Sequence, residues 1–271
     1  MLHSVDYAVM AAYVVIVGVI GWRVTRRSPT GDELFLAGRS LGWGVVGLSL
    51  FASNISSTTL IGLPGAAFET GISVANYEWM AALVLVFSAF FIMPRLLRAG
   101  VTTVPEWLEQ RFDGRLRRYL SAVSIVLSIV LDTAGSLYAG AVVLMTFIPG
   151  LTLGVTCAAM ALLAGLYTIA GGLRAVVYTD VLQTTVLLLG SALLCGIVLA
   201  EFDFSWTLIR DTVGTGRLSL VRPLDDPAMP WLGLLVGVPV LGFYYWTMNQ
   251  YVAQRILGAR NVEQATKGAL L

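Results

Sequence analysis

Residues 53–59 read Ser53-Asn54-Ile55-Ser56-Ser57-Thr58-Thr59, with Gly62, Pro64 and Gly65 just beyond, in the middle of a stretch (41–68) otherwise apolar enough to enter a bilayer. An unwound, polar run at membrane depth is tolerated only where protein buries it or where it lines a wet cavity, because lipid offers its peptide groups no partner. A helix broken in this way inside a membrane bundle points to a solute or ion site.

The rest of the chain sets the class. Of 271 residues, 57% are hydrophobic and 12% charged, and the mean hydropathy is +0.82. These values lie outside the range of soluble domains and predict an all-α integral membrane protein. Seven apolar stretches are near or above the roughly 20 residues a spanning helix needs: 5–22, 41–68, 79–97, 120–148, 151–170, 177–200 and 231–252. Alternating segments of about ten residues, which would suggest a barrel, do not occur. The first stretch is preceded by Asp6 and followed by Arg23, Arg26 and Arg27. That is the reverse of a signal peptide, so a retained span with its N-terminus outside is expected.

Charge then orients the spans. Fourteen of the 17 basic residues fall on one side, among them Arg39, the cluster from Arg95 to Arg118, Arg174, Arg255, Arg260 and Lys267; only Arg210, Arg217 and Arg222 lie opposite. By the positive-inside rule the fourteen face the cytoplasm. A multi-pass plasma or inner membrane protein with a cytoplasmic C-terminus follows. A net charge of +1 without a basic patch gives no reason to expect nucleic acid as a partner.

Enzymatic chemistry finds no support. His3 is the only histidine and sits in what reads as a disordered tip, while Cys157 and Cys195 fall inside spans as small hydrophobes. There is no metal or disulfide spacing, no nucleotide loop and no nucleophile elbow, so nothing points to ATP-driven pumping either. Between spans, Thr103-Val104-Pro105-Glu106 has capping-box spacing and predicts a short interfacial helix. Residues 201–230 predict a short surface helix followed by turns.

The break in the second span has a counterpart in the seventh, where Gly237, Pro239 and Gly242 precede Tyr244-Tyr245-Trp246-Thr247-Met248-Asn249-Gln250. Two interrupted helices five spans apart, with opposite orientation, are what an inverted repeat of five helices places at corresponding positions. Gly and Pro are also simply common in membrane helices, and the two segments alone leave both readings open.

Several motifs carry a family resemblance. Ser53-Asn54-Ile55-Ser56, Ile61-Gly62, Gly71, Tyr77-Glu78-Trp79-Met80, Val104-Pro105-Glu106-Trp107-Leu108 with Arg111-Phe112, and the run from Tyr167 to Asp180 continuing to Gln183 resemble the sodium/solute symporters. Tyr244-Tyr245-Trp246 with Asn249-Gln250 and Gln254-Arg255 is most similar to the sodium/glucose cotransporter branch. The resemblance implies a LeuT-type inverted-repeat transporter fold, coupling Na⁺ flow to uptake of a small polar solute. It implies an extra N-terminal helix (1–27), a first five-helix repeat (40–200), an outer loop (201–230) and the start of a second repeat (231–271) in a single transmembrane domain.

The same resemblance assigns roles. The backbone carbonyls of Ala52 and Ile55 map onto half of an Na⁺ site, and Asn54 would brace the unwound turn. Glu78 would accept a hydrogen bond from a sugar hydroxyl, or it is an interfacial acid near the headgroups. Tyr245 matches an inner aromatic gate in contact with the solute, or it is an interfacial belt residue. Asp180, with Arg174 nearby, is placed on the Na⁺ exit path, or is held by a helix dipole. Asp132, halfway along the fourth span, is a solute contact, or a buried acid paired with a neighbouring helix or kept protonated.

Departures from the sugar carriers blur the substrate. Thr59 stands where they carry a longer polar residue, Ala81 lacks a hydroxyl and Gly242 replaces an amide. A sugar or polyol comes first, with an amino acid, carboxylate or cationic solute as alternatives. Residues 261–268 read as the lead-in to an eighth span, so a fragment of a longer symporter is expected, with the other half of the Na⁺ site on a later helix. An inactive truncated product and a transporter-like sensor are the other readings. The sequence sets no oligomeric state beyond contact with the lipid bilayer.

Overall fold

The computed structural model describes residues 3–25 and 30–271. Arg26 and Arg27, counted above among the basic residues, lie outside the described residues. The helices are α1 (Ser4–Val24), α2 (Gly31–Leu36), α3 (Trp43–Asn54), α4 (Ser57–Thr70), α5 (Asn76–Phe91), α6 (Met93–Ala99) and α7 (Val104–Arg111). They continue as α8 (Gly114–Leu127), α9 (Ala134–Phe147), α10 (Leu153–Glu201), α11 (Trp206–Val213), α12 (Trp231–Phe243), α13 (Gln250–Leu257) and α14 (Val262–Ala269).

Among the described residues, five helical stretches are long and apolar enough to cross a membrane, and the bent pair α3–α4 makes a sixth when counted as one broken span. The seventh is hidden in α10. Its 49 residues would reach about 73 Å as one straight rod, more than twice the roughly 30 Å hydrocarbon core. Gly172 breaks it, at φ 58° and ψ −165°. The chain folds back there: the Tyr167 hydroxyl donates to the Ala175 carbonyl at 2.8 Å and meets the Thr179 hydroxyl. In a continuous helix, residues 167 and 179 stand about 18 Å apart along the axis. The expected spans 151–170 and 177–200 are therefore two antiparallel limbs.

Capping explains several boundaries. His3 is no loose tip: it accepts from the Val5 amide while Asp6 accepts from the His3 amide, which closes a capping box on α1. Thr103 caps α7 as expected, but the Glu106 carboxylate reaches one residue further back, to the Thr102 amide at 2.8 Å. In residues 201–230 the expected short helix is α11, capped by Ser205.

The broken span occupies the middle of the bundle. Val46 and Leu50 of α3 are buried together with Ala81 and Val84 of α5, Val177 of α10, Val252 and Ile256 of α13 and Ala265 of α14. Leu41 just before α3 donates to the Gly258 carbonyl at 3.1 Å and accepts from the Arg260 amide at 2.9 Å. Outward-facing side chains remain apolar, as with Trp22 at 80% and Ile169 at 77% exposure. Lipid is the solvent that such a surface suits.

The loop between α10 and α12 closes one end. Arg217 accepts from the Ile72 amide at 2.8 Å through its carbonyl, and Asn76 donates to the Leu220 carbonyl at 2.7 Å. Asp226 accepts from the Met229 and Ala228 amides at 2.9 and 3.0 Å and from Arg222 Nε at 2.9 Å. These bonds, the Met229 amide foremost, hold its carboxyl below the usual aspartate range. A carboxyl with a lowered folded pKa contributes stability above its unfolded value of about 3.9, and that stability is lost as pH falls through the folded value. Hydrogen exchange at Ala228 and Met229, corrected for its intrinsic pH dependence, is expected to accelerate below about pH 4. Unchanged protection on further acidification would show that Asp226 does not hold the loop.

Candidate functional site

The α3–α4 break falls where Ile55 (φ −91°, ψ 95°) and Ser56 (φ −99°, ψ 171°) leave helical geometry. Gly62, Pro64 and Gly65 lie within α4 and do not break it. Ser56 caps α4 by accepting from the Thr59 amide at 3.3 Å, while the Thr59 hydroxyl donates to the Asn54 carbonyl at 3.1 Å. Polar side chains thus replace the peptide bonds that the helix gives up. Among the described residues, the carbonyls of Ala52 and Ile55 accept no hydrogen bond. Unwound carbonyls of this kind are the hard oxygen donors that a sodium ion takes, so the chemistry of this turn fits the ion the resemblance implies.

In the seventh span the interruption lies further along than the sequence predicts. Gly237, Pro239 and Gly242 all stay within α12, and the helix then widens into a π-helical turn over Tyr244–Met248. It ends at Asn249, which is extended (φ −65°, ψ 129°) and caps α13 by accepting from the Tyr251 amide. Asn249 can both end one helix and start the next because its short amide substitutes for a backbone acceptor.

A cavity of about 220 Å³ lies between the two interruptions, lined by Asn54, Thr59, Tyr77, Glu78, Val238, Leu241, Gly242, Tyr245 and Trp246. Four of the predicted residues, from four separate elements, therefore meet. The Asn54 amide donates to Glu78 Oε2, tying α3 to α5. That bond occupies one carboxylate oxygen, and Oε1 accepts no bond from the described residues. Tyr245 packs edge-on against Trp246 at 5.2 Å and Tyr251 at 5.8 Å. A second cavity of about 360 Å³ shares Asn54, Glu78 and Trp246 and includes Ala81. A larger one of about 460 Å³, lined in part by Leu34, Phe35, Gly172, Gln254 and Arg255, holds none of the predicted site residues.

Two predicted residues stand elsewhere. Asp132 sits in a π-helical turn, Ser128–Thr133, between α8 and α9, and does not line the 220 Å³ cavity. No hydrogen bond or ion pair joins it to a neighbouring helix among the described residues, but it lies near enough to Tyr245 and Tyr251 to act on them electrostatically. Asp180 is buried at 7% exposure, and its partner is Arg255 rather than Arg174, with Nη2 to Oδ2 at 3.2 Å. It lies two turns beyond the break at Gly172, out of reach of a dipole effect confined to the first turn. Ser49, Tyr77 and Trp246 were not singled out from the sequence. Tyr77 and Trp246 stand in the same family motifs as Glu78 and Tyr245, which give them no role of their own.

Two interrupted helices around a shared cavity, within a bundle of seven crossings, define a LeuT-type membrane transporter fold. The Sodium:solute symporter family profile matches residues 34–271, and the chain belongs to that family. Sodium/glucose cotransporter 1 of Oryctolagus cuniculus is 34% identical over 294 residues, covering 99% of this chain and 44% of its own length. The sodium/glucose cotransporter of Vibrio parahaemolyticus is 34% identical over 280 residues, covering 98% of this chain and 51% of its own length. A Na⁺-coupled sialic acid symporter in a substrate-bound outward-open state superposes with a TM-score of 0.87 at 24% identity, over 98% of this chain and 56% of that one. The chain thus spans about half the length of the curated relatives it matches.

Proposed function

We propose that this chain contributes to Na⁺-coupled symport of a small polar solute, a sugar or polyol first. The observation that carries this reading is the meeting of Asn54, Thr59, Glu78 and Tyr245 around one cavity beside a helix break with two free carbonyls. A fixed carboxylate oxygen suits a hydroxyl donor, and an aromatic face suits the apolar side of a sugar ring. The named activities of the glucose cotransporter relatives support the same class. The proposal places the Ala52 and Ile55 carbonyls at the ion, Glu78 and Thr59 at the solute, and Tyr245 at the cavity's inner side. Asp132 does not line that cavity but lies near enough to Tyr245 and Tyr251 to act on them electrostatically, so an amino acid, carboxylate or cationic solute stays as the alternative.

The proposal keeps the N-terminus outside and the C-terminus in the cytoplasm, with residues 40–200 as the first repeat and 231–271 opening the second. It is tested with the full reading frame in proteoliposomes, comparing uptake of labelled glucose, galactose, inositol and amino acids with and without an inward Na⁺ gradient. Sugar uptake that depends on the gradient is expected. Equal uptake without the gradient, or Na⁺-driven uptake of amino acids alone, overturns it.

A further inference from the structure

One buried polar cluster lies outside the solute cavity. Arg255 on α13 uses all three of its guanidinium nitrogens: Nε donates to Ser49 Oγ at 2.8 Å, Nη1 to the Tyr251 carbonyl at 2.6 Å and Nη2 to Asp180 Oδ2 at 3.2 Å. Ser49 Oγ in turn donates to Asp180 Oδ2 at 2.5 Å. Ser49 is fully buried, and the side chains of Arg255 and Asp180 are each 10% exposed. Three elements distant in sequence are joined at one point: α3, the second limb of α10, and α13.

The position of that point on α3 is what matters. Ser49 lies one turn before Ala52, on the helix whose end carries the free carbonyls. A second tie runs alongside, from the Thr184 hydroxyl of α10 to the Leu48 carbonyl at 2.7 Å. The Ser53 hydroxyl donates back to the Ser49 carbonyl at 2.6 Å. The last two turns of α3 are thus held from outside by α10 and α13 and braced from within, right up to the residue where the chain unwinds. A burial cost for two charges is hard to explain by stability alone, since well-packed apolar residues serve at least as well. It is understandable where direction is needed, because a hydrogen-bonded ion pair fixes geometry that apolar contact leaves free.

We infer that Arg255 is a positioning residue for the carbonyl half-site: through Ser49 and Asp180 it sets where the Ala52 and Ile55 carbonyls point, and so sets the affinity for Na⁺. This rests on the Na⁺ reading above. Arg255 does not line the solute cavity; it acts through the two residues it bonds. The aromatic turn at Tyr245 and the helix break are also linked by this route, because α13 follows that turn directly.

The test is Na⁺-specific thermal stabilisation of the purified full reading frame in detergent, with K⁺ as the control, which reads ion binding without transport. Arg255→Gln is expected to raise the Na⁺ concentration giving half the shift by about 10-fold or more, the range typical of residues that orient metal ligands. Arg255→Lys, which keeps the charge but loses the planar fork, is expected to fall between. Should Arg255→Gln alone fail to fold, Asp180→Asn combined with Arg255→Gln leaves no stranded charge, and the raised midpoint is expected to persist. A double variant that melts like wild type in K⁺ and keeps the wild-type Na⁺ midpoint overturns the inference. A lowered midpoint in Arg255→Gln overturns it too, since the freed Asp180 carboxylate would then be the ion's own ligand. A wild-type protein without Na⁺-specific stabilisation removes the Na⁺ reading itself, and this inference with it.

Discussion

Gly172→Val is expected to abolish most of the folded protein. The backbone there, φ 58° and ψ −165°, falls in a region that is essentially restricted to glycine. A Cβ would also stand 2.8 Å from the Leu34 carbonyl oxygen and 3.0 Å from Leu34 Cα. Both neighbours are backbone, so neither can swing aside. The strain alone amounts to roughly 3 kcal/mol, and the clash adds to it. In detergent, the monodisperse fraction should collapse and any remaining protein should melt about 6 °C lower or more. The reversal at Gly172 brings Tyr167 onto Thr179 and sets Asp180 opposite Ser49, so its loss would reach the ion-pair cluster as well. Wild-type melting in Gly172→Val would mean that the two limbs of α10 do not depend on this break.

Glu78→Ala is expected to reduce solute uptake efficiency by about 10- to 100-fold, as follows from losing a hydrogen bond to a charged group. Two effects combine. The free Oε1 no longer meets the solute, and the Asn54 amide loses its acceptor at the point where α3 ends. Glu78→Gln separates them, since its amide oxygen still accepts from Asn54 while the charge is gone. An intermediate loss in Glu78→Gln therefore assigns the remainder to the brace between α3 and α5. Initial rates against solute concentration at saturating Na⁺ provide the measurement. Wild-type uptake in Glu78→Ala would place the solute outside the 220 Å³ cavity.

The site was legible in the sequence where chemistry and neighbours coincide. Ser53-to-Thr59 is a run of polar residues that cannot face lipid, so its break shows in one dimension, and the capping by Ser56 and Thr59 uses groups within that run. Glu78 and Tyr245 were found because family motifs carry them. The seventh span shows the opposite case: Gly237, Pro239 and Gly242 suggested a break where the helix continues, because a membrane bundle tolerates these residues within helices. The true end at Asn249 depends on an amide bonding two residues ahead.

What the sequence determined by itself is the membrane class and the polar break, because these depend on composition and on local hydrogen-bonding needs, and the family, because its motifs stand in order along the chain. Only the tertiary structure decided that Asp180 answers to Arg255, 75 residues away, rather than to Arg174, and that Ser49 bonds both Asp180 and Arg255. A buried charge takes whatever partner the packing brings within about 3 Å. Which helix faces which is settled by the whole bundle, and no single stretch of chain records it.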